Sequence, residues 1–196
     1  MQPPASLVLA TRNPHKLEEF RRLLVPRGIG VEALAEEVVL PPEDGDSFAA
    51  NAFPKARAAA AATDRAAIAD DSGIEAQALG GAPGIFSARY AGPQASDAAN
   101  LAKLRAQAPV GSPLRYVCAL ALVDPSTGTE LIFEGECRGR LAGEERGSRG
   151  FGYDPVFLPD DDAGGRTMAE MSDEEKDVIS HRGRAVRAML DWLESR

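Results

Sequence analysis

Two adjacent carboxylates, Asp70 and Asp71, stand directly behind the apolar run Ala66-Ala67-Ile68-Ala69 and are followed by Ser72 and Gly73. An apolar run of that kind reads as a short buried strand. Side chains alternate faces along a strand, so the two carboxylates must leave on opposite sides of the sheet. One can then face a cleft while the other anchors the turn expected at Ser72-Gly73. In an open α/β sheet, a carboxylate at the carboxyl end of a strand is placed to hold a divalent cation or to take a proton from water. The same Asp-Ser-Gly sequence also makes a good turn with no chemistry attached.

Three other segments carry reactive or binding groups. Thr11-Arg12-Asn13-Pro14-His15-Lys16 gathers a hydroxyl, an amide, an imidazole and an ammonium where a strand passes into a helix. The expected free N–H groups and the positive dipole end of that helix suit a phosphate. The segment lacks the glycines of a Walker A loop or a dinucleotide fingerprint. Gly150-Phe151-Gly152-Tyr153-Asp154-Pro155 sets two aromatic rings among glycines, which suits stacking on a base as well as a packed turn. Ser180-His181-Arg182-Gly183 opens the last helix, shortly after Lys176. Of 22 lysines and arginines, only Lys16, Lys55, Lys103 and Lys176 are lysines, and His15 and His181 are the two histidines. Lys16, Lys176 and both histidines fall in or beside the polar segments, which suits a polyanionic substrate. Two distant histidines without paired cysteines exclude ordinary zinc-ligand spacing, and no Gly-x-Ser-x-Gly elbow occurs.

The elements that must position these groups alternate. Ser6 to Ala10 reads as a strand, and Asn13-Pro14 caps and opens a helix whose face is Leu17, Phe20 and Leu24. Pro26 and Gly28 end it, and a short strand follows near Val31. After the acidic, proline-rich loop Leu40–Asp46, an alanine-rich helix runs from Ser47 toward Ala62, with a kink expected at Pro54. Another helix starts at Ser96 or Asp97 and ends at Pro109. Leu114 to Val123 and Thr129 to Leu141 read as a long hairpin, followed by a short strand at Val156-Phe157-Leu158. The final helix buries Val186, Met189, Leu190 and Leu193. The pattern predicts an α/β fold with a mixed sheet.

The composition narrows the partners. A net charge of -8 argues against a nucleic-acid binder. No apolar run approaches the roughly 20 residues that span a bilayer. Met1-Gln2-Pro3-Pro4 shows no leader-like pattern. Cys118 and Cys137 lie in strand-like segments, which predicts buried free thiols and a cytoplasmic protein.

Taken in order, LATRNPHK (9–16), the Glu43 loop, NAFPKA (51–56), ADDSGIEAQALGGAPGIFSARYAG (69–92), GFGYDP (150–155) and EEKDVISHRG (174–183) make a chain of motifs. In these the sequence resembles the inosine triphosphate pyrophosphatase family over nearly its whole length. The resemblance implies one domain over residues 1–196, with flanking helices on an elongated mixed sheet and two lobes around a central substrate cleft. It implies a homodimer and Mg2+-dependent hydrolysis of ITP, dITP and XTP to the monophosphate and pyrophosphate. By position, Thr11, Asn13, Lys16 and Lys55 would hold the triphosphate, within a substrate segment that includes Arg12, Pro14 and His15. Glu43 and Asp71 would bind magnesium, Asp71 would accept the proton, and Ser72 would touch the phosphates. Phe151 would stack on the purine, with Gly152, Tyr153, Asp154, Lys176, His181 and Arg182 lining the nucleotide pocket. Arg12 stands where glycine is common in the family, Ala50 where glutamate is frequent, and Pro54 interrupts the helix. A related-fold pyrophosphatase for modified pyrimidine triphosphates and a non-catalytic nucleotide-binding module are the alternative readings.

Overall fold

The computed structural model describes residues 4–195. Met1, Gln2 and Pro3, part of the N-terminal stretch read above, lie outside the described residues. In chain order the elements are β1 (Ser6–Leu9), α1 (Pro14–Leu24), β2 (Gly30–Ala33), α2 (Phe48–Thr63), β3 (Ala67–Ala76), α3 (Asp97–Gln107), β4 (Pro113–Asp124), β5 (Thr129–Leu141), β6 (Phe157–Pro159), α4 (Asp173–Ile179) and α5 (His181–Glu194). The strands form one six-stranded sheet in the order β2-β1-β3-β4-β5-β6. β1 runs parallel to β2 and β3, whereas β5 and β6 are antiparallel. The sheet is therefore mixed, as expected. No helix among the described residues is long and apolar enough to cross a membrane. Both cysteines are buried and neither forms a disulfide.

The chain divides into two compact units. The first runs to Asp71 and adds Cys118–Gly135 and the stretch from Arg182 onward; the second holds Ser72–Val117 and Glu136–His181. In the first unit, strand alternation sorts the two faces of the sheet. Leu7, Leu9, Ile68, Cys118, Leu120 and Leu122 pack with Phe20 and Leu24 of α1 and with Val186, Met189, Leu190 and Leu193 of α5. Val8, Ala10, Ala67, Ala69, Ala121 and Val123 pack with Ala52, Ala56, Ala59 and Ala60 of α2. By the same alternation Asp70 falls on the α1–α5 face and Asp71 on the α2 face. The second unit has its own core, including Ile74, Leu104, Leu114, Tyr116, Cys137, Leu141, Val156 and Phe157.

One local expectation changes. The turn at Ser72-Gly73 does not form, because β3 continues for ten residues to Ala76. The alternation resumes beyond the carboxylates: Ile74 and Ala76 are fully buried in the second core, so the strand has apolar anchors at both ends. β1 stops at Leu9, opposite Ile68. Asp70 and Asp71 are therefore in mid-strand in β3 but past the carboxyl end of β1. α2 runs from Phe48 to Thr63 with Pro54, the expected kink position, inside it. The carbonyl deprived of its donor belongs to Ala50, an exposed residue. The alanines around it are the strongest helix formers available.

Candidate active site

In the first unit, a helix, a loop and a strand converge on Asp70 and Asp71. Asn51 and Lys55 lie four residues apart on α2 and so share one face of it, the face that packs on the sheet. Both are buried. Asn51 Nδ2 donates to Asp71 Oδ2 at 2.9 Å, while Asn51 Oδ1 accepts from Gly45 N at 2.8 Å. Lys55 Nζ donates to Glu43 Oε1 at 2.5 Å and to the Asp70 carbonyl at 2.7 Å. The Glu43 loop is thus tied to the strand through two side chains of one helix. Burial pushes the Asp71 carboxyl above its ordinary range; the Asn51 hydrogen bond opposes this and the nearby Glu43 charge adds to it.

Asp70 has the opposite balance. Its side chain is fully buried, which alone would raise its pKa. The charges of Lys16, Arg182 and Lys55 outweigh that, and hold the carboxyl well below the usual carboxylate range. Lys16 Nζ stands 3.0 Å from Asp70 Oδ2, and Arg182 donates to the same oxygen through Nη2 at 2.9 Å and Nε at 3.3 Å. Arg182 Nη1 also donates to Glu19 Oε2. The Cys118 thiol is pushed up to about 12, by burial first and the Asp70 charge second. Arg182, expected beside the base, is 2% exposed with its guanidinium on Asp70 and Glu19.

The start of α1 differs from expectation in its donors. The Asn13 side chain accepts from His15 N at 2.9 Å and Lys16 N at 3.4 Å, and its carbonyl accepts from Leu17 N. Pro14 has no N–H, so the backbone donors of the first turn are taken up and only the dipole and the side chains can meet an anion. Thr11 Oγ1 accepts from Asn13 N at 3.2 Å, which leaves the hydroxyl hydrogen for another acceptor. Pro14 and His15 are exposed at the helix start. The Arg12 guanidinium donates to the carbonyls of Leu34, Ala35, Glu36 and Val38, so it closes the loop after β2.

In the second unit the other expected residues form a network around Asp154. Asp154 Oδ2 accepts from Lys176 Nζ at 2.7 Å and from Phe151 N at 3.1 Å, and Oδ1 accepts from Tyr116 Oη at 3.1 Å. Lys176 Nζ lies 5.2 Å from the centre of the Phe151 ring. The Tyr116 ring stacks on the His181 imidazole, 4.7 Å away and 8° from parallel. Tyr153 Oη donates to the Ser87 carbonyl at 2.8 Å, and Gly152 N donates to Asp97 Oδ2 at 3.0 Å. A Cβ on Gly150 would lie 2.1 Å from Asp154 Oδ2 and 3.2 Å from Lys176 Nζ, so a side chain there would displace the pair.

The sequence pattern of the Ham1 family matches residues 7–192. The chain belongs to the Ham1 family. It is 48% identical to a dITP/XTP pyrophosphatase of Mycolicibacterium paratuberculosis, with 96% of each chain covered. It is 43% identical to a dITP/XTP pyrophosphatase of Bacillus subtilis, again over 96% of each. A Ham1 protein structure from Coxiella burnetii superposes with a TM-score of 0.85 at 39% identity, covering 98% of this chain and 100% of that one. The resemblance read from the motifs is borne out, and so is the mixed α/β fold.

Within this Ham1 fold, sequence reasoning left three residues without a role. Asn51 sat inside a motif but no task was given to it; its signal was a polar side chain four residues before Lys55 in a run of alanines. Glu19 and Tyr116 gave no signal beyond periodicity, since their partners are more than 35 residues away in the chain. No cluster of three or more His, Cys, Asp or Glu side chains that could hold a metal ion occurs among the described residues. Glu43 and Asp71 nevertheless suit Mg2+, which takes one or two carboxylates and completes its shell with water and substrate phosphates. Burial is the main cause of the upward push on Asp71 and the Glu43 charge adds to it; that added repulsion is what a divalent cation would relieve.

Proposed function

We propose that the protein hydrolyses non-standard purine nucleoside triphosphates, namely ITP, dITP and XTP, to the monophosphate and pyrophosphate. The observation that carries this reading is the buried Asp71, aimed by Asn51 and flanked by Glu43 and Lys55, in a chain of which 96% matches a dITP/XTP pyrophosphatase. Lys16, Lys55, Thr11, Asn13 and Ser72 hold the triphosphate. In the free protein each of those two lysines rests on a carboxylate, Lys16 on Asp70 and Lys55 on Glu43. Lys16, Lys55 and Arg182 face four carboxylates in this cluster: Glu19, Glu43, Asp70 and Asp71. A triphosphate therefore calls for a further cation, and Glu43 and Asp71 hold Mg2+. Bound there, Mg2+ supplies charge neutralisation and acidifies water.

Asp71 takes the proton of the water that attacks the α-phosphorus, and pyrophosphate leaves intact. The Asn51 hydrogen bond holds the Asp71 carboxylate in place for that proton. Little covalent chemistry is asked of the protein, so the rate comes from placement and charge. Arg182 acts through Asp70, whose carboxylate fixes Lys16. On the second unit, Phe151 stacks on the purine, while Lys176 and His181 donate to the 6-keto oxygen. Adenine offers an amino group there and would leave those donors unpaired, a mismatch that some enzymes turn into roughly 10⁴–10⁵ of discrimination. The protein acts as a homodimer in the cytoplasm; the motif resemblance supports the first statement, and two buried cysteines outside any disulfide fit a reducing compartment.

The test is a panel of dITP, XTP, dATP and dGTP with Mg2+, read by product. Pyrophosphate released far faster from dITP and XTP is the expected result. Orthophosphate as the sole inorganic product, or equal rates across the panel, would overturn the reading.

A further inference from the structure

The residues given to the purine depend on one that was not. Phe151, Lys176 and His181 come from a loop, from α4 and from the start of α5. What joins them is Tyr116 of β4, which is 7% exposed in the second core. Its hydroxyl donates to Asp154 Oδ1 at 3.1 Å, so Asp154 Oδ2 is left to receive Lys176 Nζ and the Phe151 N–H. A carboxylate with only one oxygen engaged can rotate and exchange its oxygens; one engaged on both sides is held. Burial and the Asp154 charge push the Tyr116 phenol well above its ordinary value, so it stays a donor. The same ring is parallel to the His181 imidazole on one side and packs at 44° on Phe157 at 4.6 Å. The imidazole plane, and with it the direction of its ring-edge nitrogens, is set by a side chain that is itself wedged.

We infer that Tyr116 is a specificity-determining positioning residue: its hydroxyl orients Asp154, and through it Lys176 and Phe151, while its ring orients His181, so the donor array facing a 6-keto purine depends on it. This rests on the proposed assignment of that network to the base. Tyr116 itself touches no reacting atom. Its contribution is to discrimination between bases and not to the chemical step, so its loss must fall unequally on 6-keto and 6-amino substrates.

The experiment compares dITP with dATP on the wild type, Tyr116→Phe and Tyr116→Leu, reading kcat and KM by pyrophosphate release. The readout is the ratio of kcat/KM for the two substrates within one preparation, which is independent of the folded fraction. Tyr116→Phe keeps the stack and loses only the hydroxyl; it is expected to narrow that ratio by roughly tenfold, chiefly through a higher KM for dITP. Tyr116→Leu loses the stack as well and is expected to narrow it further. A uniform fall for both substrates, or an unchanged ratio, in variants of an enzyme that does prefer dITP would overturn the inference alone. A wild type with no preference for dITP over dATP would overturn the assignment of the base network, and the role of Tyr116 with it.

Discussion

Asp71 and Asp70 are neighbours in sequence with opposite electrostatic situations, and the difference comes from what each face of the sheet carries. Asp71 meets an amide and a second carboxylate on the α2 side. Asp70 meets Lys16 and Arg182 on the other. Asp71→Asn is expected to lower kcat by roughly 10²–10⁴ while dITP still binds, because the proton acceptor is lost and the shape is kept. Its melting temperature at neutral pH should equal or exceed that of the wild type: a carboxyl raised in the folded state opposes folding when ionised, and the substitution removes that charge. Turnover retained in Asp71→Asn would remove it from its role. Asn51→Ala should lower kcat/KM for dITP by roughly 10–100-fold, the size expected for a lost hydrogen bond to a charged group. The role of Asp71 was legible in its type and place. That of Asn51 was not, because an amide within a helical run of alanines is recognisable only once its partner, 20 residues on, is known.

At the scale of elements, the boundaries were carried by local chemistry. Asn13-Pro14 and Ser47 do cap α1 and α2, and the turn sequence Asp124 to Gly128 between two strand-like runs made β4 and β5 visible as neighbours. One reading failed because a long-range term outweighed a local one. Asp-Ser-Gly has turn chemistry, but Ile74 and Ala76 find a core beyond it and the strand goes on. Asn13 was read both as a cap and as part of a phosphate-binding helix start. A cap that accepts His15 N and Lys16 N uses up the donors the phosphate would need. The Glu43 loop is held by Gly45, where a Cβ would lie 2.8 Å from both Ala50 Cβ and Asn51 Oδ1. Gly45→Ala should therefore displace Asn51 and lower kcat with little change in melting temperature, measured by steady-state kinetics beside thermal unfolding. An unchanged kcat would show that the loop and Asp71 are not coupled through Asn51.

For the molecule as a whole, the buried ionic network on the α1–α5 face links charge to stability. Asp70 is held below the ordinary carboxylate range in the folded state. Its contribution is therefore complete at neutral pH and is lost as pH falls through about 4 toward the folded value. Arg182→Met leaves Asp70 and Glu19 buried without their shared partner and should cost about 3–5 kcal/mol by denaturant unfolding at neutral pH. The deficit should shrink in acid, where both carboxylates take up protons. A variant as stable as the wild type at pH 7 would contradict this account of Arg182.

The central claim is that water, deprotonated by Asp71, attacks the α-phosphorus. Hydrolysis of dITP in ¹⁸O-labelled water locates the attack directly, by mass spectrometry of both products. One labelled oxygen in dIMP and none in pyrophosphate is the predicted result. Label in pyrophosphate or in orthophosphate would contradict it.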